Sequence, residues 1–188
     1  MLDENRILFA GAVLPDALAA ETKRLHLPVI AVPNSRTARR TLLERGCSMV
    51  VIDAPLSDEY GTELAQDLSE QSSTQVLMLV PAAQYELVAA RAPDYGILVL
   101  RKPVDPEALR QTLLLMLATQ RKLQIMQKKA DSLAEKMADI RFVNRAKLLL
   151  MEHEHLTEAE AHKRIERQAM DLGLKRRQIA IKIIHKYE

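Results

Sequence analysis

Five short apolar runs punctuate the first hundred residues of the chain. None alternates apolar with polar positions throughout, and uniformly apolar runs are typical of strands that are covered on both faces. The runs are RILFA (6–10), PVIAV (28–32), MVVID (49–53), QVLMLV (75–80) and ILVL (97–100). Segments with helical spacing separate them. The pattern therefore predicts a doubly wound α/β domain built on a parallel sheet.

A long helix is predicted after Pro106, because no further proline occurs and the next glycine is Gly173. Apolar residues recur along it at alternating intervals of three and four, which predicts a coiled coil and a dimer. The predicted dimer seam is Met116, Leu123, Met126, Ala130, Leu133, Met137 and Ile140. The alternative is a helix packed on its own α/β domain, since Met and Ala make a soft seam. Flanking lysines lack complementary partners, so charge pairs do not specify the orientation of the seam.

The stretch MEHEHLTEAEAH (151–162) predicts a junction between two helices. Thr157 and Glu160 have the spacing of a capping box, which would begin a helix at residue 158. His155 lies where the preceding helix must end, a position that often requires a left-handed backbone. A third helix is predicted from about 175 to 187. Together these elements predict a small all-α, three-helix unit.

The same stretch holds three of the five histidines, yet a zinc site is not predicted. His153 and His155 are two residues apart and point to different faces of a helix, and only Glu158 and His162 are spaced as helical ligand pairs. No set of nucleophile, base and acid is present, so we predict no enzymatic activity, no catalytic residue, no metal and no cofactor. The one cysteine, Cys47, is predicted to be a buried small side chain.

Charge is divided unevenly along the chain. Residues 1–120 carry 11 Lys and Arg against 15 Asp and Glu, whereas residues 121–188 carry 16 against 10. This division indicates a sensing part joined to a part that meets a polyanion, although a solvated helical surface can also be rich in lysine. No apolar run approaches the roughly 20 residues that cross a bilayer, and the acidic start is not a signal sequence, so we expect a cytoplasmic protein.

Two charged residues follow strands of the predicted sheet, at the edge where ligands gather in such folds. Asp53 ends the third apolar run and Lys102 follows the fifth. With Gly61 and Pro103, they form a pattern that resembles the receiver domain of two-component response regulators, over roughly residues 1–115. The resemblance implies a flavodoxin-like fold in which Asp53 accepts a phosphoryl group and Lys102 contacts it.

This pocket departs from the receiver family at two places. Where the family has an acidic pair that holds magnesium, the chain reads Ala10, Gly11 and Ala12. Where the family has a hydroxyl residue after the fourth strand, it reads Val80. Magnesium needs carboxylate oxygens, and phosphoryl transfer needs its charge neutralised. Asp53 and Lys102 are therefore predicted to be a vestigial phosphoacceptor pocket, in a pseudo-receiver that takes its signal from a partner protein or a ligand.

Four blocks of the C-terminal part carry a second resemblance. They read RAKLLLM (145–151), LTEAEAH (156–162), IERQAM (165–170) and IAIKII (179–184). Their order and spacing resemble the ANTAR domain, the RNA-binding module of bacterial transcription antitermination regulators, over roughly residues 130–188. Leu148 is a departure, because many members have glycine there. With a degenerate receiver and a coiled coil ahead, the whole chain resembles the amidase-regulator type of that class.

The resemblance implies a dimer that binds stem-loops in nascent leader RNA and prevents a terminator hairpin from forming. The concentration of positive charge on the three-helix unit suits RNA phosphates. The predicted RNA-binding residues are Arg145, Lys147, Arg164, Arg167, Lys175, Arg176, Arg177 and Lys182, with Lys147 and Arg167 as the first choices. The alternatives are a DNA-binding response regulator and an adaptor that acts through protein–protein contacts.

Three parts are expected along the chain. They are a degenerate receiver-like domain (1–110), a coiled-coil linker helix (111–140) and an ANTAR domain (141–188). The expected partners are leader RNA, a second copy of the chain, and a protein sensor or ligand at the receiver-like domain. No membrane is expected among them.

Overall fold

The computed structural model describes residues 6–71 and 74–188. Residues 1–5, 72 and 73, which belong to the predicted domain 1–110, lie outside the described part. The chain forms two compact units, Met1–Leu123 and Gln124–Glu188. Within the described ranges, no helix combines the length and the apolar character that are needed to cross a membrane.

Five parallel strands form the sheet of the first unit. They are β1 (Ile7–Ala10), β2 (Val29–Val32), β3 (Met49–Asp53), β4 (Gln75–Pro81) and β5 (Leu98–Lys102). Their order is β2-β1-β3-β4-β5, and each neighbouring pair is parallel. Each strand overlaps a predicted apolar run, so the doubly wound fold class is confirmed. The interior strand β1 is buried at every position, which explains why its sequence shows no alternation.

Helices cover both faces of this sheet. They are α1 (Asp16–Arg24), α2 (Ser35–Arg45), α3 (Thr62–Gln71), α4 (Tyr85–Arg91, between 3-10 turns at Ala82–Gln84 and Ala92–Tyr95) and the first turns of α5 (Pro106–Glu154). One face packs side chains of α2, α3 and α4 around Val50 and Met78. The other packs Leu18 of α1 and the start of α5 around Phe9 and Leu77. The sheet is therefore enclosed between two apolar layers, as a parallel sheet requires.

Met116, which we predicted in the dimer seam, belongs to the core of the first unit. It is fully buried, as are Leu113 one turn and Leu109 two turns before it on α5. A helix packed on a sheet and a coiled-coil helix repeat apolar residues at the same intervals, so the spacing could not separate the two uses. The exposed part of the predicted seam therefore begins at Leu123.

The second unit packs the end of α5 against two shorter helices, α6 (Glu158–Leu172) and α7 (Arg176–Tyr187). Its core consists of Ala146 and Leu150 of α5, Ala161, Ile165 and Ala169 of α6, and Ile179, Ala180 and Ile183 of α7. The alanines of α6 allow the neighbouring backbones to approach closely, because they present little side-chain volume. The small all-α unit predicted from the sequence is confirmed.

The junction between α5 and α6 has the predicted capping chemistry. The Glu160 amide donates to Thr157 Oγ1 at 3.3 Å, and the Thr157 amide donates to Glu160 Oε2 at 2.8 Å. His155 has the left-handed backbone expected there, with φ 53°, and Gly173 has the same conformation at the end of α6, with φ 62°. Both turns are therefore specified by local sequence.

Cys47 differs from its prediction, because it is partly buried instead of fully buried. It lies two residues before β3, where the chain has not yet entered the core, and packs at the edge of the first apolar layer. Its backbone carbonyl accepts a hydrogen bond from Thr74 Oγ1 at 3.0 Å. Desolvation raises the pKa of the Cys47 thiol, so the thiolate form is disfavoured.

A carboxylate from the loop after β3 caps the start of α2. Asp58 accepts hydrogen bonds from the Ser35 amide at 3.0 Å, the Ser35 hydroxyl at 2.9 Å and the Arg36 amide at 3.1 Å. These bonds, with that of the Ser35 amide the largest, lower the pKa of Asp58 from 3.8 to about 2. The ionised carboxylate therefore ties the loop after β3 to the start of a neighbouring helix.

Asp58→Asn is expected to lower the Tm at neutral pH by a few degrees, because an amide replaces the charged acceptor. The folded pKa is below the unfolded value, so the stabilisation is complete above about pH 4 and is lost as the pH falls towards 2. The Tm difference between the wild type and the variant, measured by circular dichroism, should shrink over that interval. The exposed Asp94→Asn is the control. A difference that stays constant from pH 7 to pH 2 would contradict this role of Asp58.

Candidate functional site

Asp53 and Lys102 form an ion pair at the carboxyl edge of the sheet. Lys102 Nζ lies 2.5 Å from Asp53 Oδ1 and donates to the Ala54 carbonyl at 2.6 Å. The Lys102 side chain is only 30% exposed and the Asp53 side chain only 23%. The lysine therefore joins the ends of β5 and β3 and neutralises the carboxylate that would accept a phosphoryl group in a receiver.

The place where receivers hold an acidic pair is closed by packing. A Cβ atom added to Gly11 would lie 2.7 Å from Phe9 Cζ and 2.8 Å from Asp53 Cβ, closer than real side chains approach. Val80, where the family has a hydroxyl residue, is fully buried. Throughout residues 6–71 and 74–188, no three His, Cys, Asp or Glu side chains are placed to share a metal ion. Among the described residues, the edge therefore presents Asp53 with Ala10, Gly11 and Ala12 where the receiver family has an acidic pair.

The first unit also contains a cavity of about 520 Å³ beside α3 and α4. Its floor is apolar and includes Met78, whereas its wall carries polar side chains from Tyr60, Gln66, Gln84 and Arg91. Desolvation raises the pKa of the Tyr60 phenol, in keeping with its position against the core. A concave site with an apolar floor and a few polar groups has the general character of a small-molecule site.

In the second unit, a groove of about 600 Å³ brings together four of the eight predicted RNA-binding residues. We call it the basic groove and define it by Asn144, Lys147, His162, Lys175, Arg176 and Arg177. Its residues come from α5, from α6, from the turn before α7 and from the first turn of α7. Lys175 precedes α7, and its amide donates to Gln178 Oε1 at 3.0 Å, which fixes the start of that helix. The fold therefore gathers positive charge that is scattered over 31 positions of sequence, from Lys147 to Arg177.

Carboxylates of α6 hold Lys147 and Arg176 in place. Lys147 Nζ lies 2.7 Å from Glu158 Oε1, and Arg176 Nη1 lies 3.1 Å from Glu166 Oε1. The hydrogen bond from Lys147 lowers the pKa of Glu158. Such partly exposed pairs contribute little to stability, so a stronger anion can replace the carboxylate at little cost.

Arg177 is oriented from two sides. Its Nη1 lies 3.3 Å from Asp139 Oδ1, and its guanidinium carbon lies 5.1 Å from the centre of the Phe142 ring. The cation–π contact holds a planar group that can also bind phosphate or stack on a base. The basic groove therefore presents cations that are already ordered before any anion arrives.

The other four predicted residues lie outside the basic groove. Arg145 pairs with Glu188, and Arg164 pairs with Glu154. The Tyr187 hydroxyl also donates to Glu154, and this bond is the largest cause that lowers the pKa of that carboxyl. Arg145 and Arg164 thus connect helices of the unit. In the described part of the chain, the remaining two, Arg167 and Lys182, are exposed and make no ion pair.

Several groups of this site were not singled out from the sequence. Asn144 and the carboxylates Asp139 and Glu166 are not part of any sequence motif that points to this site. The pair of His162 Nε2 with Glu166 Oε1, 3.3 Å apart, has the i, i+4 spacing that could have revealed it. The contact between Glu166 and Arg176 joins two helices, so only the folded structure shows it.

Residues 131–184 match the family model of the ANTAR domain. Over 124 residues, the chain is 28% identical to the transcriptional regulatory protein PdtaR of Mycobacterium tuberculosis. That match covers 65% of this chain and 60% of the relative, so the chain spans less than two thirds of the length of the curated proteins it matches. The predicted ANTAR domain is confirmed, and its matched range contains all of the basic groove.

Two solved receiver domains have the fold of the first unit. One is the signal receiver domain of an HD domain-containing protein from Pseudomonas fluorescens Pf-5, which is 22% identical and has a TM-score of 0.54 over 64% of this chain and 92% of its own. The other is a CheY-like response regulator receiver domain protein from Methanospirillum hungatei JF-1, which is 21% identical and has a TM-score of 0.53 over 64% and 98%. The predicted receiver fold is confirmed.

Gly11→Ala is expected to lower the free energy of unfolding by about 1–3 kcal/mol, the usual effect of overpacking, because the new methyl group would meet Phe9 and Asp53. Chemical denaturation of the full chain measures this. Ala12→Ser, one residue along at an exposed position, should leave stability unchanged. Equal stability of the two variants would show that this edge can accommodate a side chain.

Proposed function

This chain joins a receiver fold to an ANTAR domain, and we propose that it is a transcription antitermination regulator that binds RNA. As a dimer, it holds stem-loops in nascent leader RNA and so prevents an overlapping terminator hairpin from forming. The observation that carries this proposal is the basic groove, which lies within the matched ANTAR range. RNA phosphates are the polyanion that best fits such a site.

Arginine and lysine, not aromatic platforms, provide the contacts in this proposal. The last 68 residues contain two aromatic side chains, Phe142 and Tyr187. The Phe142 ring lies beneath Arg177, and the Tyr187 ring stacks on His153 with centres 4.7 Å apart. Because both rings already have partners, RNA bases would stack on the guanidinium planes of arginines. These groups also bind phosphates in a bidentate way.

RNA phosphates would have to replace the carboxylates that now pair with the cations of the basic groove. Glu166 pairs with Arg176, and Asp139 pairs with Arg177, in the absence of RNA. A phosphate group would replace these carboxylates as the partner of each arginine. This exchange opposes binding by only a small amount per pair, because the pairs are partly exposed. Selectivity then comes from the fit of a stem-loop to several cations at fixed positions, since each cation alone is only a weak phosphate site.

Dimerisation through α5 is the second component of the proposal. Five large side chains of the predicted seam, Leu123, Met126, Leu133, Met137 and Ile140, are between 41% and 60% exposed, and Ala130 is exposed between them. Exposed apolar stripes at heptad spacing are typical of helices that pair with another helix. A second copy of α5 offers the same stripe, so the two can bury each other.

The receiver-like domain is the input module in this proposal, and it takes its signal from a partner protein or a ligand. The closed position of Gly11, where the receiver family has an acidic pair, disfavours ordinary aspartyl phosphorylation. The 520 Å³ cavity beside α3 and α4 is a candidate place for a ligand, because it combines an apolar floor with Gln66 and Arg91.

We expect the full chain to bind a paired stem-loop leader RNA more tightly than a scrambled RNA or duplex DNA at matched salt. Arg176→Ala should weaken stem-loop binding about tenfold, as expected for one contact worth about 1.4 kcal/mol, and should reduce the salt slope by about one. Arg167→Ala removes the same side chain from an exposed position outside the basic groove and should have a smaller effect. Fluorescence anisotropy at several salt concentrations measures both.

The same experiment distinguishes the alternatives. Weak and equal binding to all three nucleic acids would contradict the antitermination proposal and favour an adaptor that acts through protein contacts. Tighter binding to duplex DNA would favour a DNA-binding regulator. Loss of stem-loop binding in Arg167→Ala but not in Arg176→Ala would move the RNA interface from the basic groove to the outer face of α6.

Glu166→Gln is expected to strengthen RNA binding about two- to fivefold at low salt, because it releases Arg176 and His162 from a carboxylate and removes a charge that repels phosphate. The gain should decrease as salt increases. Glu152→Gln makes the same charge change at an exposed position that does not line the basic groove. Equal gains in both variants would indicate a general charge effect instead of a local one.

A further inference from the structure

The cavity beside α3 and α4 is lined by polar groups that the protein leaves without partners. The Tyr60 hydroxyl is buried, and over residues 6–71 and 74–188 it has no hydrogen-bond partner. In the same ranges, Gln66 and Gln84 make no hydrogen bond and Arg91 makes no ion pair. Buried hydroxyls of proteins are ordinarily bonded. The lining therefore has hydrogen-bonding capacity that a bound molecule could use.

Apolar and aromatic side chains form the rest of the lining. Met78 and Ile97 are almost fully buried, and Tyr60 and Tyr95 add two aromatic rings. Leu87 is 69% exposed at the same cavity. A thioether and aromatic rings both make favourable contacts with a further ring. The apolar part of the cavity therefore suits an aromatic ligand, and Leu87 can cover part of it.

The cavity exists because α4 covers the sheet incompletely. The helix has seven residues between two 3-10 turns, and none of the seven is fully buried. Leu87 and Arg91 are four residues apart, so they share one face of the helix, and both line the cavity. A segment with few buried side chains moves at low cost. A ligand that contacts both α3 and α4 would therefore fix the position of α4.

The charge of the lining favours a singly charged anion. Of the described residues that line the cavity, Arg91 alone is charged. A guanidinium group binds a carboxylate through two parallel hydrogen bonds. Phosphate sites usually add a helix N-terminus, whereas Arg91 ends its helix, where the dipole repels anions. The first turn of α3 reaches the cavity through Thr62, but its Leu64 amide already donates to Glu59 Oε1 at 3.1 Å.

We propose that this cavity binds an aromatic monocarboxylate, with the carboxylate on Arg91 and the ring against Met78 and the two tyrosines. The inference rests on the proposed function, in which the receiver-like domain takes its signal from a partner protein or a ligand, and it names the chemical class of that ligand. A volume of about 520 Å³ is within the range of small-molecule sites. Gln66 and Gln84 can bond polar substituents of the ring.

This site is separate from the receiver-like pocket at the carboxyl edge of the sheet. Neither Asp53 nor Lys102 lines the cavity. Their ion pair can therefore stay intact while a ligand binds beside α4. Binding of a carboxylate by Arg91 involves no phosphoryl transfer, so the loss of the acidic pair that receivers use would not affect it.

Titration of the full chain with matched pairs of ligands tests the site. The probes are phenylacetate, cinnamate and indole-3-acetate, each compared with its neutral amide, and binding is measured by isothermal titration calorimetry. Each carboxylate should bind about fivefold or more tightly than its amide, because hydrogen bonds between charged groups are the stronger ones. Inorganic phosphate is the control for anions without an apolar body, and any binding of it should be unaffected by a change at Arg91.

Three variants locate the binding. Arg91→Gln should remove the preference for the carboxylate and change the affinity for the amide less than about twofold, because the apolar contacts remain. Arg101→Gln removes an exposed arginine of β5 that does not line the cavity, and it should keep the preference. Val88→Phe enlarges a lining side chain and should weaken binding of both members of each pair. Circular dichroism and the Tm establish that each variant is folded.

Failure of all three carboxylates to bind at millimolar concentration would overturn the inference, as would equal binding of carboxylates and amides or an unchanged preference in Arg91→Gln. Stem-loop RNA binding by the same samples decides the proposed function separately. Selective RNA binding without carboxylate binding would leave the antitermination proposal intact and remove only this ligand class. Carboxylate binding through Arg91 in a chain that binds all nucleic acids equally would keep the site and remove the RNA function.

Discussion

The apolar periodicity of one helix is the constraint on which both units depend. α5 runs from Pro106 to Glu154 without a proline or glycine. Its first turns bury Leu109 and Leu113 against the sheet, and its last turns bury Ala146 and Leu150 against α6 and α7. Neither core would be complete without it. An insertion within either set would rotate the following apolar positions away from their core by about 100° per residue.

The same periodicity limits what can be predicted from sequence. The five strands were predictable because uniformly apolar runs have few other uses in a domain of this size. The α5–α6 junction was predictable because Thr157 and Glu160 act through neighbouring backbone groups. The spacing of Met116 predicts a place in the seam, although Met116 packs on the sheet, because both kinds of packing repeat apolar residues at the same intervals. Deciding between them required the position of the sheet.

The sequence predicts which basic residues are candidates for RNA binding, but it does not predict which of them lie together in the folded protein. Eight basic residues could be named from the sequence, yet the structure assigns four to one groove and uses Arg145 and Arg164 to connect helices. Contacts such as Arg176–Glu166 join residues ten positions apart on different helices, and they depend on the angle between those helices. Short-range rules describe neighbours within one helix and cannot specify such pairs.

The arrangement of charge has a consequence for affinity. Each cation of the basic groove that already has a carboxylate partner gains less from a phosphate than a free cation would, because binding exchanges one ion pair for another. A single groove of this kind should bind one stem-loop only moderately. A dimer with two such grooves would bind a pair of linked stem-loops more tightly than a single stem-loop, because only the pair can occupy both grooves. In the proposed dimer, dimerisation and RNA selectivity would therefore depend on one element, α5, which carries the exposed apolar stripe and one wall of the basic groove.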